Sequence, residues 1–195
     1  MDSITDQAPD IAPWRPYLLA SLQGTKDIPE SRYFQLASVD ITGAPQCRTL
    51  VFRELHQDNE IIVISDTRTE KFTEFASNPR GQICWYFAHT REQYRFDVTA
   101  QVTTFVDNEL WLTEHWSRLS DAGKKQFLWG SPGTKRHDLN PLESLEPDNV
   151  VPSHFCVISL SVSKVDYLNL RGNPQNRIVF EKQSDGSWCS LEIIP

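Results

Sequence analysis

The sequence predicts a mainly β protein, a small barrel or sandwich of about eight mostly sequential, antiparallel strands with a few short helices at its ends. Three observations predict it. Runs rich in Val, Ile, Phe, Tyr and Trp recur between turn residues, as in "RYFQLASVDITGAPQCRTLVFREL". The helical stretches are few and do not alternate with strands in a βαβ rhythm. No G-x-G-x-x-G or Walker-type glycine loop is present to indicate a Rossmann sheet.

At 195 residues, 39% hydrophobic and 23% charged, the chain reads as one globular domain, 1–195. Within it, about 12–105 holds the first strands and a helix, 106–153 a helical segment and loop, and 154–195 the C-terminal strands. "APWRPYLLASLQ" (12–23) is an opening helix with Tyr17, Leu18 and Leu22 on one side. A hairpin follows, its turn marked by Gly43 and Pro45. "HQDNE" turns the chain into "IIVIS" (61–65), apolar enough to be buried on both faces. "DTRTEKFTEFASNPR" switches to helical spacing with Phe72, Phe75 and Ala76 inward, and Asn78-Pro79 ends it. "GQICWYFAH" and "EQYRFDVTAQVTTF" are strands joined by a short polar turn. Residues 107–129 are helical, and 130–153 form a long connection rich in proline, glycine and charge. "HFCVISLSVSKVDYLNL", "NRIVFEK" and "WCSLEII" supply three late strands, the last two joined through Ser184-Asp185-Gly186.

The net charge of −7 argues against non-specific nucleic-acid binding, which needs clustered positive charge. No apolar run approaches the roughly 18–20 residues of a membrane span. The acidic, proline-containing start is unlike a signal peptide, so a cytoplasmic location is expected. Cys47, Cys84, Cys156 and Cys189 lie far apart in strand-like runs and are expected to be buried, reduced thiols. The five histidines have no metal-ligand spacing, so no metal site is expected.

One strand carries a contradiction. In "CRTLVFREL" (47–55), Arg48 shares a face with Leu50 and Phe52, and burying its charge unpaired is expensive. Just past the third strand lies "SDTRTEK" (65–71), where Thr67 and Glu70 fit a capping box. A helix start offers free N–H groups and a positive dipole end. Arg68 and Lys71 add cations there, and Ser65, Thr67 and Thr69 add hydroxyls. Together these make a phosphate cradle that Arg48, read as lying on the neighbouring strand, could reach. The plainer alternative leaves Arg68 and Lys71 solvated and pairs Arg48 with Glu54 or Asp97.

"RTLVFREL", a strand ending in Ser65, then Lys71, "NPR" (78–80), "EQ" (92–93) and the ending "VDYLNLRGNPQNRIVFEK" resemble the pyridoxamine 5′-phosphate oxidase-like family. The resemblance covers roughly Leu19 to Pro195. It implies a Greek-key split β-barrel of about 6–8 antiparallel strands that binds flavin mononucleotide (FMN) between two subunits of a homodimer. Arg48 and Lys71 take the positions of the residues that hold the flavin phosphate. The backbone from Arg48 to Arg53 would run beside the isoalloxazine ring, with Thr49, Leu50 and Val51 at its edge. Ser65 takes the place of a hydroxyl residue at the strand end. The family often has Arg-Lys where this chain has Glu70-Lys71, so Arg68 is expected to supply the missing charge. Gln93 matches a glutamine near the cofactor, and Arg177 a late arginine that reaches the flavin from the partner subunit. Trp129, beside glycine and proline, is a candidate for the cofactor mouth, whereas Trp85 and Trp188 are expected in the core.

The substrate side departs from the true vitamin B6 oxidases. Their R-x-H is replaced by "RGNPQNR" (171–177), and Arg118 in "HWSRLSD" is only a weak match to a substrate-phosphate arginine. The chain is closer to the "oxidase-related" branch of plant and cyanobacterial flavin proteins. Its expected function is an FMN-dependent oxidoreductase acting on an unidentified small molecule, with His89, His115 and Arg118 as proton-transfer candidates. The alternatives are a flavin-binding sensor or store without turnover, or a genuine pyridoxamine/pyridoxine 5′-phosphate oxidase. Pyridoxal phosphate and haem are disfavoured as ligands, since no Schiff-base lysine or axial histidine stands out.

Overall fold

The computed structural model describes residues 11–56, 59–136, 146–147 and 149–195. Helix α1 (Arg15–Gly24) and a 3-10 turn (Pro29–Arg32) lead into strands β1 (Tyr33–Val39), β2 (Pro45–Val51), β3 (Glu54–Leu55) and β4 (Glu60–Asp66). Helix α2 (Glu70–Ser77) precedes β5 (Arg80–Phe87) and β6 (Glu92–Thr104). Helices α3 (Glu109–Ser117) and α4 (Asp121–Leu128) precede β7 (Phe155–Asn169), β8 (Asn176–Lys182) and β9 (Trp188–Ile193).

All strand pairs are antiparallel, in the order β2-β1-β5-β6-β7-β4-β3, with β8 and then β9 added on β7. The long strand β7 is the branch point. Its first half, Phe155 to Ser161, pairs with β4, and its second half, Lys164 to Asn169, pairs with β8. A register shift in β6 at Asp97/Val98 bends the sheet where the two halves diverge. After β2 the chain crosses toward β4, where Arg53 N donates to Ile62 O at 3.0 Å. The mainly β, split-barrel reading is therefore correct, with the two-residue β3 added. The single-domain boundaries drawn from the sequence remain an expectation.

Two apolar clusters explain the burial. The barrel interior packs Trp14, Leu18, Phe34, Leu36, Ile83, Trp85 and Phe96 with alternate residues of β4 and β7. A second cluster forms under α3 and α4, where Ile62, Phe155 and Val157 meet Leu112, Trp116 and Leu119. That is why "IIVIS" is apolar throughout: its two faces serve two cores. Trp85 lies fully inside, its Nε1 donating to Ser31 O at 2.8 Å, while Trp188 is half-buried edge-on to Trp14. Helix α1 docks through Leu18 and through buried Ser21, whose Oγ bonds Glu92 Oε2 at 2.8 Å and Tyr94 OH at 2.7 Å.

Several local expectations are corrected. Helix α2 starts at Glu70 with Thr69 as its N-cap, so Thr67 and Glu70 form no capping box. Its buried residues are Glu74 and Phe75, while Ala76 is exposed. The helical stretch 107–129 is two helices, broken where Ser120 caps α4 by accepting from Gly123 N at 3.2 Å. Cys156 is buried and Cys84 half-buried, but Cys47 and Cys189 are exposed. Strand β4 neighbours β7 and β3, not β2. Residues 137–145 of the long connection lie outside the described residues, as do Gln57 and Asp58 of the "HQDNE" turn.

Candidate functional site

Strand β4 delivers Ser65 and Asp66 to a tight turn that launches α2. Asp66 organises it: its Oδ1 accepts from Arg68 N at 2.8 Å, and its carbonyl accepts from Thr69 N at 3.1 Å and Thr69 Oγ1 at 2.7 Å. Thr67 N donates to His154 O at 2.8 Å, tying the turn to the segment before β7. Lys71, in the first turn of α2, folds back over this loop. Its Nζ donates to Ser65 Oγ at 3.0 Å and to Thr69 Oγ1 at 2.9 Å. Burial and the nearby Arg48 charge both pull its pKa below the ordinary lysine value. Lys71 forms no ion pair among the described residues: its half-buried ammonium bonds two neutral hydroxyls at a helix start, with the Asp66 and Glu74 carboxylates acting on it only through space. That donor set suits an anion.

The Arg48 charge has an acidic partner in the structure. Leu50 packs against the barrel core and Phe52 lies within it. Arg48 points to the barrel end that α2 covers. There its Nη2 meets Glu74 Oε2 at 2.6 Å, and its Nη1 donates to Ser38 Oγ at 2.5 Å and Leu36 O at 3.3 Å. Ser38 Oγ donates in turn to Glu74 Oε2 at 2.5 Å. The acid is thus Glu74, neither Glu54 nor Asp97. Glu54 pairs with Arg118, and Asp97 accepts from Gln82. The sequence carried a signal for Glu74, which sits three residues after Lys71 and so on the same face of α2.

Arg68 is turned away from Lys71. Its guanidinium grips the Asp66 carboxylate, with Nη2 to Oδ2 at 2.6 Å, and donates to Phe127 O at 3.4 Å and Trp129 O at 3.3 Å at the end of α4. Burial alone would raise the Asp66 pKa, but the Arg68 hydrogen bonds outweigh it and hold the carboxyl below its usual value. Trp129 itself is 43% exposed.

On the opposite face of β2, Val51 and Arg53 open onto a cleft of about 410 Å³ bounded by the 3-10 turn, Ile64 of β4 and α3. His115 and Arg118 of α3 and Glu54 of β3 complete its polar wall. Arg118 Nη1 meets Glu54 Oε2 at 2.8 Å, and its Nη2 meets Glu114 Oε1. His115 is buried edge-on to Trp111, and that burial lowers its pKa. Arg53 lines this cleft. Burial and then the Arg32 charge lower its pKa, and it forms no ion pair among the described residues. His89 lies outside the cleft, exposed in the β5–β6 turn. No cluster of metal-ligating side chains occurs among the described residues.

Residues 11–104 match the family described as "Pyridoxamine 5′-phosphate oxidase, FMN-binding domain". The crystal structure of a pyridoxamine 5′-phosphate oxidase-related, FMN-binding protein from Nostoc punctiforme superposes with a TM-score of 0.89. It is 37% identical, covering 94% of this chain and 98% of that one. The chain belongs to the pyridoxamine 5′-phosphate oxidase-like, FMN-binding family. Among curated relatives, pyridoxine/pyridoxamine 5′-phosphate oxidase 2 of Arabidopsis thaliana is 28% identical over 95% of this chain and 98% of its own length. PhzG from Burkholderia lata shares the fold, with a TM-score of 0.78 at 15% identity over 100% of this chain and 99% of that one.

FMN is the cofactor of this family's domain, and the residues present fit its phosphate. A half-buried lysine with two hydroxyls and no ion pair among the described residues, beside Arg48 and the α2 N-terminus, has the donor set a phosphate monoester needs. The other family-type positions lie elsewhere. Thr49, Gln93 and Arg177 share the outward face of the sheet, where Tyr86, Gln93, Leu168 and Arg177 form one cross-strand row. Arg177 is on β8, which is added on the second half of β7, whereas Arg48 is on β2 beneath α2. The Arg177 guanidinium is clamped by Asp166, Nε to Oδ1 at 2.9 Å and Nη2 to Oδ2 at 2.7 Å, and Arg95 shares the same carboxylate. No helix among the described residues is long and apolar enough to cross a membrane.

Proposed function

We propose that this protein is an FMN-dependent oxidoreductase acting on a small molecule, working as a homodimer with the flavin between subunits. The observation that carries the reading is Lys71, a half-buried cation held by two hydroxyls at a helix start with no ion pair among the described residues. Ser65, Thr69 and Lys71 bind the flavin phosphate, and Arg48, braced by Glu74 and Ser38, adds positive potential behind it. Arg68 is a strut that fixes the phosphate turn to α4 through Asp66 and does not bind the phosphate itself. Thr49, Leu50 and Val51 border the isoalloxazine ring with their backbone, while Val51 and Arg53 open the adjoining cleft to substrate. FMN, when bound, supplies the hydride or electron transfer. The chain's own residues orient the reactants and exclude water, and neutral His115 can accept a proton at the cleft wall.

Dimerisation is supported by the outward face of β1, β2 and the Gln82–Tyr86 part of β5. Its side chains, including Tyr33, Gln35, Cys47, Thr49, Cys84 and Tyr86, carry no charge, an unusual composition for an open sheet face. Gln93 and Arg177 border that face, so a second copy docked on it would bring them toward the partner's flavin. The test of turnover is anaerobic addition of NADH or NADPH to the FMN-loaded protein. Bleaching of the flavin band is expected. A flavin that stays oxidised with these and other donors would instead identify a non-catalytic flavin module.

A further inference from the structure

If Lys71, Ser65 and Thr69 hold the flavin phosphate, as proposed above, the cradle is only as well defined as the turn that carries them, and all that follows rests on that reading. The β4–β7 ladder ends at the Asp66–Phe155 pair. One further bond, Thr67 N to His154 O at 2.8 Å, extends it into the turn. His154 is thus the first residue beyond the ladder. The Nε2 of its half-buried ring lies 2.7 Å from Phe127 O and 3.9 Å from Asp66 Oδ2. A carbonyl oxygen only accepts, so Nε2 carries the hydrogen and donates it. Phe127 is in the last turn of α4, where helix carbonyls have no N–H partner within the helix. The same carbonyl accepts from Arg68 Nη2 at 3.4 Å, and Arg68 Nη1 reaches Trp129 O at 3.3 Å. Arg68 from the turn and His154 from the segment beside it therefore converge on the C-terminal end of α4. At 2.7 Å the His154 bond is the shorter of the two to Phe127 O, so the anchor rests mainly on it.

We propose that His154 is a positioning residue for the flavin phosphate. Its bond to Phe127 O fixes the segment against which Asp66 and Thr67 are held, and so sets the spacing of the Ser65 and Thr69 hydroxyls around Lys71. Ser65 immediately precedes Asp66, and the Asp66 carbonyl accepts from Thr69 N and Thr69 Oγ1. A shift of Asp66 therefore moves both hydroxyls that meet the Lys71 ammonium. The imidazole acts through the turn, so its effect falls on the phosphate and not on the ring, which the proposed site places along β2.

The test is the ratio of FMN to riboflavin affinity, measured by calorimetry in the unmodified protein and in His154→Gln, His154→Asn and His154→Phe. Gln can place an amide N–H where Nε2 lies, whereas Asn reaches only the position of Nδ1 and Phe carries no donor. The ratio is expected to fall about 5- to 10-fold in His154→Asn and His154→Phe, with riboflavin affinity within a factor of about two. In His154→Gln it should stay within a factor of about two of the unmodified protein. A side chain that served only packing would lower Tm or weaken both ligands together, leaving the ratio as it was. An unchanged ratio in His154→Asn and His154→Phe overturns the proposal, as does an equal fall in His154→Gln. If His154→Phe fails to fold, His154→Asn and His154→Gln decide by the same criteria. Absence of any preference for FMN in the unmodified protein refutes the phosphate cradle itself, and the positioning role falls with it.

Discussion

Removing the Arg48 guanidinium would leave the Glu74 carboxylate, only 3% exposed, facing Ser38 without its ion-pair partner. Arg48→Ala should therefore destabilise the fold by roughly 2–3 kcal/mol in urea unfolding, less than for a fully buried pair because Arg48 is partly solvated. Arg48→Met combined with Glu74→Leu should recover most of that loss, since no charge is then left stranded. Arg48→Ala is consequently an ambiguous probe of cofactor binding, and Lys71 is the cleaner one. Lysine binds phosphate only when protonated, and burial has lowered the Lys71 pKa. Part of the population therefore loses its proton below the ordinary lysine range. FMN binding should weaken as pH rises through that lowered pKa, with protons taken up on binding at alkaline pH. Calorimetry in buffers of different ionisation enthalpy should show this uptake with FMN, but not with riboflavin or in Lys71→Met. At this scale the sequence exposed Lys71 and Ser65 through their place at a strand-to-helix junction. It hid the Arg48–Glu74 pair and the cleft role of Arg53, because both depend on which strand end lies beneath α2 and α3.

Helix α2 holds the phosphate turn at the barrel end, and its seat depends on close packing at β5. A Cβ on Gly81 would lie 3.0 Å from Ala37 O and 3.4 Å from Phe75 Cε1. Gly81→Ala should thus push β1 and α2 apart, lower stability by about 1–3 kcal/mol and weaken FMN binding with it. Thermal unfolding with and without FMN would measure both effects. Helix α4 anchors Arg68 through the Phe127 and Trp129 carbonyls, and Ser120 caps its start. Ser120→Ala should cost about 1 kcal/mol. The strands and α2 were legible because alternation and 3.6-residue spacing are local signals. The break at Ser120 and the start of α2 at Glu70 were not, because helix ends are set by a few hydrogen bonds. The neighbours of β4 were hidden for another reason. A strand apolar on both faces does not reveal which long strand it joins, and that partner, β7, lies some 90 residues on in the chain.

At the scale of the whole molecule, one chain presents the phosphate cradle beside the Cys156 end of β7 and the Gln93–Arg177 row across its Leu168 end. The proposed dimer on the uncharged face would bring the row of one copy toward the flavin of the other. Tyr86→Arg, which puts a charge into that face, should convert a species of twice the 22.4 kDa chain mass into monomers in sedimentation equilibrium and release FMN in parallel. The resemblance to a flavin family was readable because residues 48–93 keep their order and spacing. The substrate cleft was less so, since its charges come from β2, β3, α3 and the turn before β1.

The central claim is that Lys71 and its two hydroxyls hold the phosphate of FMN. It is tested most directly by the ratio of FMN to riboflavin affinity in the unmodified protein and in Lys71→Met. The two ligands share the ring and differ in the phosphate, so the ratio isolates the cradle. The account predicts a strong preference for FMN that falls by about 10- to 100-fold in Lys71→Met, with riboflavin affinity nearly unchanged. A ratio that is the same in both proteins would contradict it.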